Sequence, residues 1–216
     1  MSRTYDTFLF DLDGTITDSA LGITNSVMYA LKKFGIEETD RTKLYKFIGP
    51  PLTESFEKFY GFTKEQSLDG VKYYREYYHD KGIYENRVYD GLEEVLKKIN
   101  EAGKQAIVAT SKPEEYAKII MDYFHLTKYF ACVAGMEMDG GRGTKAQVIT
   151  YALEKNDITD KSKVLMIGDR EHDVIGAHLN GLDCLGILYG FGSREEFEEA
   201  GADYIRENVE DILQFV

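Results

Sequence analysis

The chain has little cysteine, little proline and no long apolar run, and each shortage excludes a class of protein. Its two cysteines, Cys132 and Cys184, match no CxxC or Cys/His metal spacing, so we expect two reduced thiols. Three prolines among 216 residues are too few for a disordered chain. No window approaches the roughly 20 apolar residues that a membrane-spanning helix needs. We therefore expect a folded chain without a membrane span.

Positive charge is also scarce. The chain has 26 lysines and arginines and 38 aspartates and glutamates, which gives a formal net charge of −12. Such a chain repels nucleic acid and anionic membrane surfaces, so neither is an expected partner. A site for an anionic ligand must then supply its own cations. The N-terminal residues 1–11 hold an apolar run of only three residues before an aspartate, so we expect no signal peptide and a cytoplasmic location.

Short apolar segments alternate with amphipathic ones over most of the chain. Strands are predicted at 7–11, 104–110, 129–134, 163–169, 182–188 and 202–205. Helices are predicted at 91–102, 114–124, 144–155, 171–180, 194–201 and 208–214, and an earlier one from an N-cap at Asp18 to Gly35. This alternation predicts the α/β class, with a doubly wound, Rossmann-like parallel sheet as the core.

One region breaks the alternation. Residues 36–84 read as helical pieces, and no strand pattern lies between residues 15 and 84. The expected division is therefore an α/β core made of residues 1–15 and 84–216, with an all-helical domain, 16–83, inserted into it.

Polar residues stand where several predicted strands end. They are Asp11 and Asp13, then Thr110, Ser111 and Lys112, then Asp169. Ligands of open parallel sheets bind beyond the carboxyl ends of the strands, so adjacent central strands would bring these groups together. An EF-hand loop starting at Asp11 is excluded, because its sixth and twelfth positions are Ile16 and Gly22. A turn role for Asp13 with Gly14 stays open.

A second acidic pair follows a later strand. Asp173 is four residues after Asp169 and lies on the same side if a helix begins at once, although either residue alone fits a helix cap. Four carboxylates converging on one edge would repel each other strongly. A hard divalent cation offsets that repulsion, and Mg²⁺ is the ion that binds a few carboxylates together with a phosphate ligand.

Two further segments offer groups for an anion. In VATSKP, 108–113, the Thr-Ser hydroxyls follow a predicted strand and precede a predicted helix, where they could bind an anion. The same residues also fit an ordinary turn and helix N-cap. In GGRGTKAQVI, 140–149, Arg142 and Lys145 lie near a helix start, where positive charge opposes the helix dipole. The order Gly143-Thr144-Lys145 does not fit a P-loop. One of the two cations is expected to neutralise a phosphate and the carboxylates.

Taken in order, DLDGT (11–15), Thr110, Lys145 and GDREHD (168–173) resemble the motifs of the haloacid-dehalogenase superfamily. The helical insert directly after the first motif resembles the phosphoglycolate phosphatase-like branch, which has a small helical cap. The resemblance covers the whole chain. It implies a Mg²⁺-dependent phosphatase that hydrolyses a small phosphorylated metabolite through an aspartyl-phosphate.

The resemblance also implies roles for individual residues. Asp11 would be the nucleophile, Asp13 the general acid and base, Thr110 a phosphate ligand, and Lys145 the group that stabilises nucleophile and phosphoryl group. Mg²⁺ would be held by Asp11, Asp169 and the backbone carbonyl of Asp13, with Asp173 in support. Further contacts to substrate are expected from Leu12, Gly14, Ser111 and Arg142. Many relatives carry the lysine in a Lys-Pro-x-Pro run, whereas this chain has Arg-Gly-Thr-Lys-Ala, so Arg142 is a rival for that role.

Alternatives remain within and beyond this class. Phosphoglycolate and 5′-nucleotides both suit such a phosphatase. Sugar-phosphate mutases of the superfamily usually place a histidine after the first motif and a basic residue in a cap loop, and residues 18–26 and 48–55 have neither. A signalling receiver also accepts phosphate on aspartate, but receivers are about half this length and lack a helical insert. The expected partner is a small phosphorylated metabolite, and the expected state is a monomer or weak homodimer.

Overall fold

A computed structural model describes residues 3–138 and 141–216. The chain divides into two compact units. One comprises the chain up to Thr17 together with Val88–Val216, and the other is Asp18–Arg87. The expected boundaries, after residues 15 and 83, lie two and four residues before the observed divisions.

The described residues of the two units together form eight strands and eight α-helices, and those of the first unit alternate along the chain. The strands are β1 Thr7–Phe10, β2 Thr17–Asp18, β3 Arg87–Val88, β4 Gln105–Pro113, β5 Val133–Met136, β6 Val164–Gly168, β7 Asp183–Ile187 and β8 Tyr204–Arg206. The α-helices are α1 Ala20–Lys33, α2 Leu52–Tyr60, α3 Lys64–Tyr77, α4 Leu92–Glu101, α5 Glu114–Tyr123, α6 Lys145–Lys155, α7 Glu171–Leu179 and α8 Arg194–Ala200. The last predicted helix, 208–214, is a 3₁₀ helix at Val209–Phe215.

Six parallel strands form one sheet in the order β5-β4-β1-β6-β7-β8. All four residues of β1 are buried, as expected for a central strand covered on both faces. Phe10 is in register with Val108 of β4 on one side and Ile167 of β6 on the other. The strand order reverses between β1 and β6, which is the topological switch point of a doubly wound sheet. The predicted α/β class is confirmed.

The second unit is helical between its two ends. It contains α1, α2 and α3, a 3₁₀ helix at Arg41–Phe47 and a π-helical turn at Tyr78–Gly82. Its core is aromatic, with the rings of Phe56 and Phe62 stacked at 5.5 Å and those of Tyr74 and Tyr78 at 5.2 Å.

Two expectations for this region are wrong in detail. A two-residue strand, β2, lies within the stretch where no strand is predicted, and it pairs with β3. Two residues are too short to show an alternating pattern. The N-cap of α1 is Ser19 rather than Asp18, although Asp18 Oδ1 accepts a hydrogen bond from the Ala20 N–H at 3.2 Å. None of the helices in residues 3–138 and 141–216 has both the length and the apolar character to cross a membrane.

Candidate active site

The carboxyl ends of three neighbouring strands meet at one edge of the sheet. Asp11 directly follows β1 and Asp169 directly follows β6, while Thr110 lies in the last part of β4. The Asp11 N–H donates to the Ile167 carbonyl at 2.9 Å, so the chain is still paired with β6 where the first carboxylate emerges. The sheet order thus places the three polar strand ends side by side, as the sequence predicts.

Three carboxylates converge at this edge. Asp11, Asp169 and Asp173 each offer an oxygen that lies within 4.8 Å of the others, and all three residues are buried. Asp173 belongs to the first turn of α7, where its Oδ2 accepts from the Arg170 N–H at 3.1 Å. That cap explains part of its placement. It does not explain why two more carboxylates are buried beside it.

Lys145 is the cation in contact with this group. Its Nζ lies 2.6 Å from Asp11 Oδ1 and 2.7 Å from Asp173 Oδ1, and it donates to the Ala109 carbonyl at 2.9 Å. Lys145 thus donates two hydrogen bonds, to Asp11 and to the Ala109 carbonyl, and its contact with Asp173 is an ion pair. Thr144 caps α6 in a capping box with Gln147, which fixes Lys145 as the first residue of the helix.

The charge on Lys145 follows from its neighbours. Burial alone lowers the pKa of this lysine, but the Asp11 and Asp173 carboxylates outweigh burial and raise the pKa above its ordinary value. Lys145 therefore stays positively charged at neutral pH.

Arg142, the rival cation, lies elsewhere. Its guanidinium pairs with Glu137 at 2.6 Å and Glu114 at 3.1 Å, and its Nε donates to the Gly135 carbonyl at 3.1 Å. It also lies 3.9 Å above the ring of Tyr151. The structure thus brings Lys145 to the carboxylates and ties Arg142 to a separate acidic pair.

Asp169 is the most enclosed of the carboxylates. Its Oδ2 accepts from the Phe191 N–H at 2.9 Å, whereas its Oδ1 is buried without a hydrogen-bond partner. Burial, followed by the charges of Asp11 and Asp173, raises the pKa of Asp169 well above its usual range. Burial also raises the pKa of Asp173, although Lys145 opposes the shift. Both carboxylates are thus poorly stabilised in their charged form.

Glycine backbone closes around Asp169. Gly14 has a φ of +89°, and a Cβ at that position would stand 2.0 Å from Asp169 Oδ2. A Cβ at Gly190 would stand 2.4 Å from the Asp169 Cβ. Only glycine allows both chain segments to come this close to the carboxylate.

The turn that carries Asp13 and Gly14 is organised by Leu12. The Leu12 side chain is buried, and its carbonyl accepts hydrogen bonds from the N–H groups of Thr15, Ile16 and Thr17 at 3.2, 2.9 and 3.0 Å. Leu12 therefore supports the site through core packing and a tight turn.

Asp13 is paired apart from the other carboxylates. Its Oδ2 accepts from Lys112 Nζ at 2.6 Å, while its Oδ1 is buried without a hydrogen-bond partner. The sequence places Lys112 among the polar residues at a strand end but assigns it no role. Because β4 continues to Pro113, Thr110 and Lys112 are two apart in one strand and both are buried, whereas Ser111 between them is only half-buried. Extending the predicted strand by three residues would have revealed this relation.

The donor set suits a hard divalent cation. Four buried carboxylates, of Asp11, Asp13, Asp169 and Asp173, face two buried lysines, so the fully ionised group carries two uncompensated negative charges. Asp169 Oδ1, buried and unpartnered in the described structure, is an available ligand atom. The oxygen-only donor set fits Mg²⁺.

The fold and site identify the class of protein. The chain belongs to the haloacid dehalogenase-like hydrolase family, whose model matches residues 8–187. It is 44% identical to a 5′-nucleotidase of Pseudomonas aeruginosa over 192 residues, which cover 89% of this chain and 86% of that protein. A crystal structure of a predicted phosphatase from Clostridium acetobutylicum superposes with a TM-score of 0.94 at 47% identity, covering 98% of this chain and 97% of that one. The predicted family and enzyme class, a phosphatase of this family, are confirmed.

A relative with a different name shares the same fold. The tyrosine-protein kinase PtkA of Mycobacterium tuberculosis is 32% identical over 197 residues, covering 91% of this chain and 67% of that protein. Its structure superposes with a TM-score of 0.86. Relatives of this chain therefore include one named for phosphate transfer.

Proposed function

We propose that the chain is a Mg²⁺-dependent phosphatase that hydrolyses a small phosphorylated metabolite through an aspartyl-phosphate on Asp11. The observation that carries the proposal is the convergence of Asp11, Asp169 and Asp173 at the carboxyl edge of the sheet, with Lys145 paired to Asp11 and Asp173. The 5′-nucleotidase relative favours a nucleotide-type substrate, with phosphoglycolate as the other candidate.

The first chemical step transfers the phosphoryl group to the protein. An Asp11 carboxylate oxygen forms a bond to phosphorus while the ester P–O bond breaks, and Asp13 gives its proton to the leaving oxygen. In the second step a water oxygen bonds to phosphorus, the water proton goes to Asp13, and the bond between Asp11 and phosphorus breaks. Inorganic phosphate leaves and both aspartates return to their starting states.

The other residues hold charge in place. Lys145 keeps a fixed positive charge against Asp11 and the incoming phosphoryl oxygens. We assign phosphate binding to Thr110, in the last part of β4 ahead of the N-terminus of α5, together with Ser111. When bound, Mg²⁺ supplies positive charge that offsets the phosphoryl oxygens. Asp11, Asp169 and the Asp13 carbonyl would hold it, with Asp173 in support. We assign the helical unit Asp18–Arg87 as the cap that selects the substrate.

Transfer of the γ-phosphoryl group of a nucleoside triphosphate to a tyrosine hydroxyl, with release of the diphosphate, is the second candidate, favoured by the similarity to PtkA. Phosphate release separates the two. We expect purified protein with Mg²⁺ to release phosphate from one class in a panel of phosphoglycolate, nucleoside monophosphates and sugar phosphates. Uniformly negligible release, together with transfer to a tyrosine-containing peptide, would overturn the phosphatase proposal.

Removal of the metal is expected to abolish turnover. Without a divalent cation, the uncompensated carboxylates repel the phosphoryl group. Phosphate release should fall by at least ~1,000-fold in excess chelator and return when Mg²⁺ is added beyond the chelator. Full activity in chelator would refute the metal assignment.

Asp169→Asn is expected to stabilise the metal-free protein while abolishing activity. An ionised Asp169 costs free energy because it is buried with one unpartnered oxygen, whereas the amide is neutral. We expect a gain of about 1–2 kcal/mol, or about 2–8 °C in Tm. Since the folded-state pKa is raised, the gain is largest above that pKa and disappears as pH falls to the ordinary range of aspartate.

Calorimetry in chelator at pH 8 and pH 4 measures this gain. The matched control is Asp69→Asn, because Asp69 lies on the exposed surface of α3 and pairs with Lys72. A lower Tm for Asp169→Asn at pH 8 would contradict the expected cost of the buried charge.

A further inference from the structure

Lys112 is a second buried lysine at the site, and the mechanism above gives it no task. Its Nζ lies 2.6 Å from Asp13 Oδ2, with side chains only 6% and 11% exposed. Lys118 pairs with Glu114 at the same 2.6 Å, but its side chain is 54% exposed. Removing an ion pair from water costs free energy that mutual attraction often fails to recover. Stability alone therefore explains the buried pair poorly.

The backbone of Lys112 is held beside Thr110. Its N–H donates to Thr110 Oγ1 at 3.2 Å, and both residues belong to the final part of β4. The lysine is thereby tied to the strand that carries the proposed phosphate ligand.

Lys112 makes the two oxygens of Asp13 different. Oδ2 is held by the ammonium group, whereas Oδ1 is buried and has no hydrogen-bond partner among the described residues. A general acid must present one particular oxygen to the leaving group within hydrogen-bond reach. Because Lys112 holds Oδ2 of Asp13, Oδ1 is the oxygen that can face the leaving group.

We propose that Lys112 is a positioning residue for Asp13, holding Oδ2 so that Oδ1 carries the proton in both chemical steps. The inference rests on the proposed function. The proton on Oδ1 passes to the ester oxygen as the P–O bond breaks, and Oδ1 regains a proton from the water that attacks the aspartyl-phosphate. Lys112 itself gains and loses nothing in either step.

Leaving-group dependence tests this role. A nitrophenolate leaves without help from an acid, whereas an alkoxide needs a proton. We expect Lys112→Met to lower kcat/KM for an alkyl phosphate at least ~10-fold more than for p-nitrophenyl phosphate. Asp13→Asn should show a difference in the same direction, and Lys112→Arg should restore part of the alkyl phosphate activity.

The matched control is Lys118→Met, which removes an exposed lysine from α5 and should leave the ratio of the two kcat/KM values unchanged. Equal losses on both substrates in Lys112→Met would overturn the positioning role, because phosphate binding and general stability affect both substrates alike. Should that variant fail to fold, Lys112→Gln is measured in the same way against the same two outcomes. The alkyl phosphate is the panel substrate that the wild-type protein hydrolyses best, and if it hydrolyses none of the panel with Mg²⁺, the proposed function itself fails.

Discussion

Replacing Asp11 with asparagine is expected to reduce phosphate release by at least ~1,000-fold. An amide cannot form the covalent bond to phosphorus, so neither chemical step proceeds by the proposed route. The fold should survive, because an amide oxygen can still accept the hydrogen bond that Lys145 Nζ gives to Asp11 Oδ1 at 2.6 Å.

Initial rates with saturating Mg²⁺, alongside thermal unfolding of the same preparation, measure this effect. Unchanged unfolding combined with lost turnover assigns the effect to chemistry rather than to folding. A variant that keeps more than a tenth of the wild-type rate would remove Asp11 as the nucleophile.

The second large effect is expected at Lys145. Lys145→Met leaves the Asp11 and Asp173 carboxylates buried without their cation, and it removes the positive charge proposed to face the phosphoryl group. We expect kcat to fall by at least ~100-fold. The loss of one partner from a buried ion pair should also cost about 3–5 kcal/mol of folding free energy.

Arg142→Met is the matched control for that experiment. Arg142 pairs with Glu114, the first residue of α5, and with Glu137, which follows β5, rather than with the site aspartates. Its removal should therefore change kcat by no more than a few-fold. If kcat fell equally in both variants, or fell further in Arg142→Met, Arg142 rather than Lys145 would be the cation that faces the phosphoryl group.

The sequence was sufficient to predict those site residues that directly follow a strand. Asp11 and Asp169 could be placed together because each follows a short apolar strand, and parallel strands bring their carboxyl ends to one edge. The α/β class was predictable for the same reason, since all residues of β1 and β6 are buried and apolar enough to stand out.

Contacts between distant segments were not predictable. The approach of Gly14 and Gly190 to Asp169 depends on how separate loops meet, which no local pattern encodes. The choice between Arg142 and Lys145 was open from sequence because both lie near the start of one helix. The capping box at Thr144 fixes Lys145 as the first residue of α6, and the fold then brings its Nζ to Asp11.

Lys112 could be named as a polar residue at a strand end, but its role could not be predicted, for a specific physical reason. The predicted strand ended at residue 110, whereas β4 continues to Pro113, so the shared burial of Thr110 and Lys112 did not emerge. The apolar pattern stops before the strand does, because the last residues of β4 serve the site rather than the core.

Chemical trapping of the phosphorylated protein tests the central claim most directly. Borohydride reduces an acyl phosphate to an alcohol, so treatment during turnover with Mg²⁺ should convert the trapped aspartate to homoserine. We expect peptide mass spectrometry to find homoserine at position 11 in the wild-type protein and none in Asp11→Asn. Homoserine at another position, or none while phosphate is being released, would contradict an aspartyl-phosphate on Asp11.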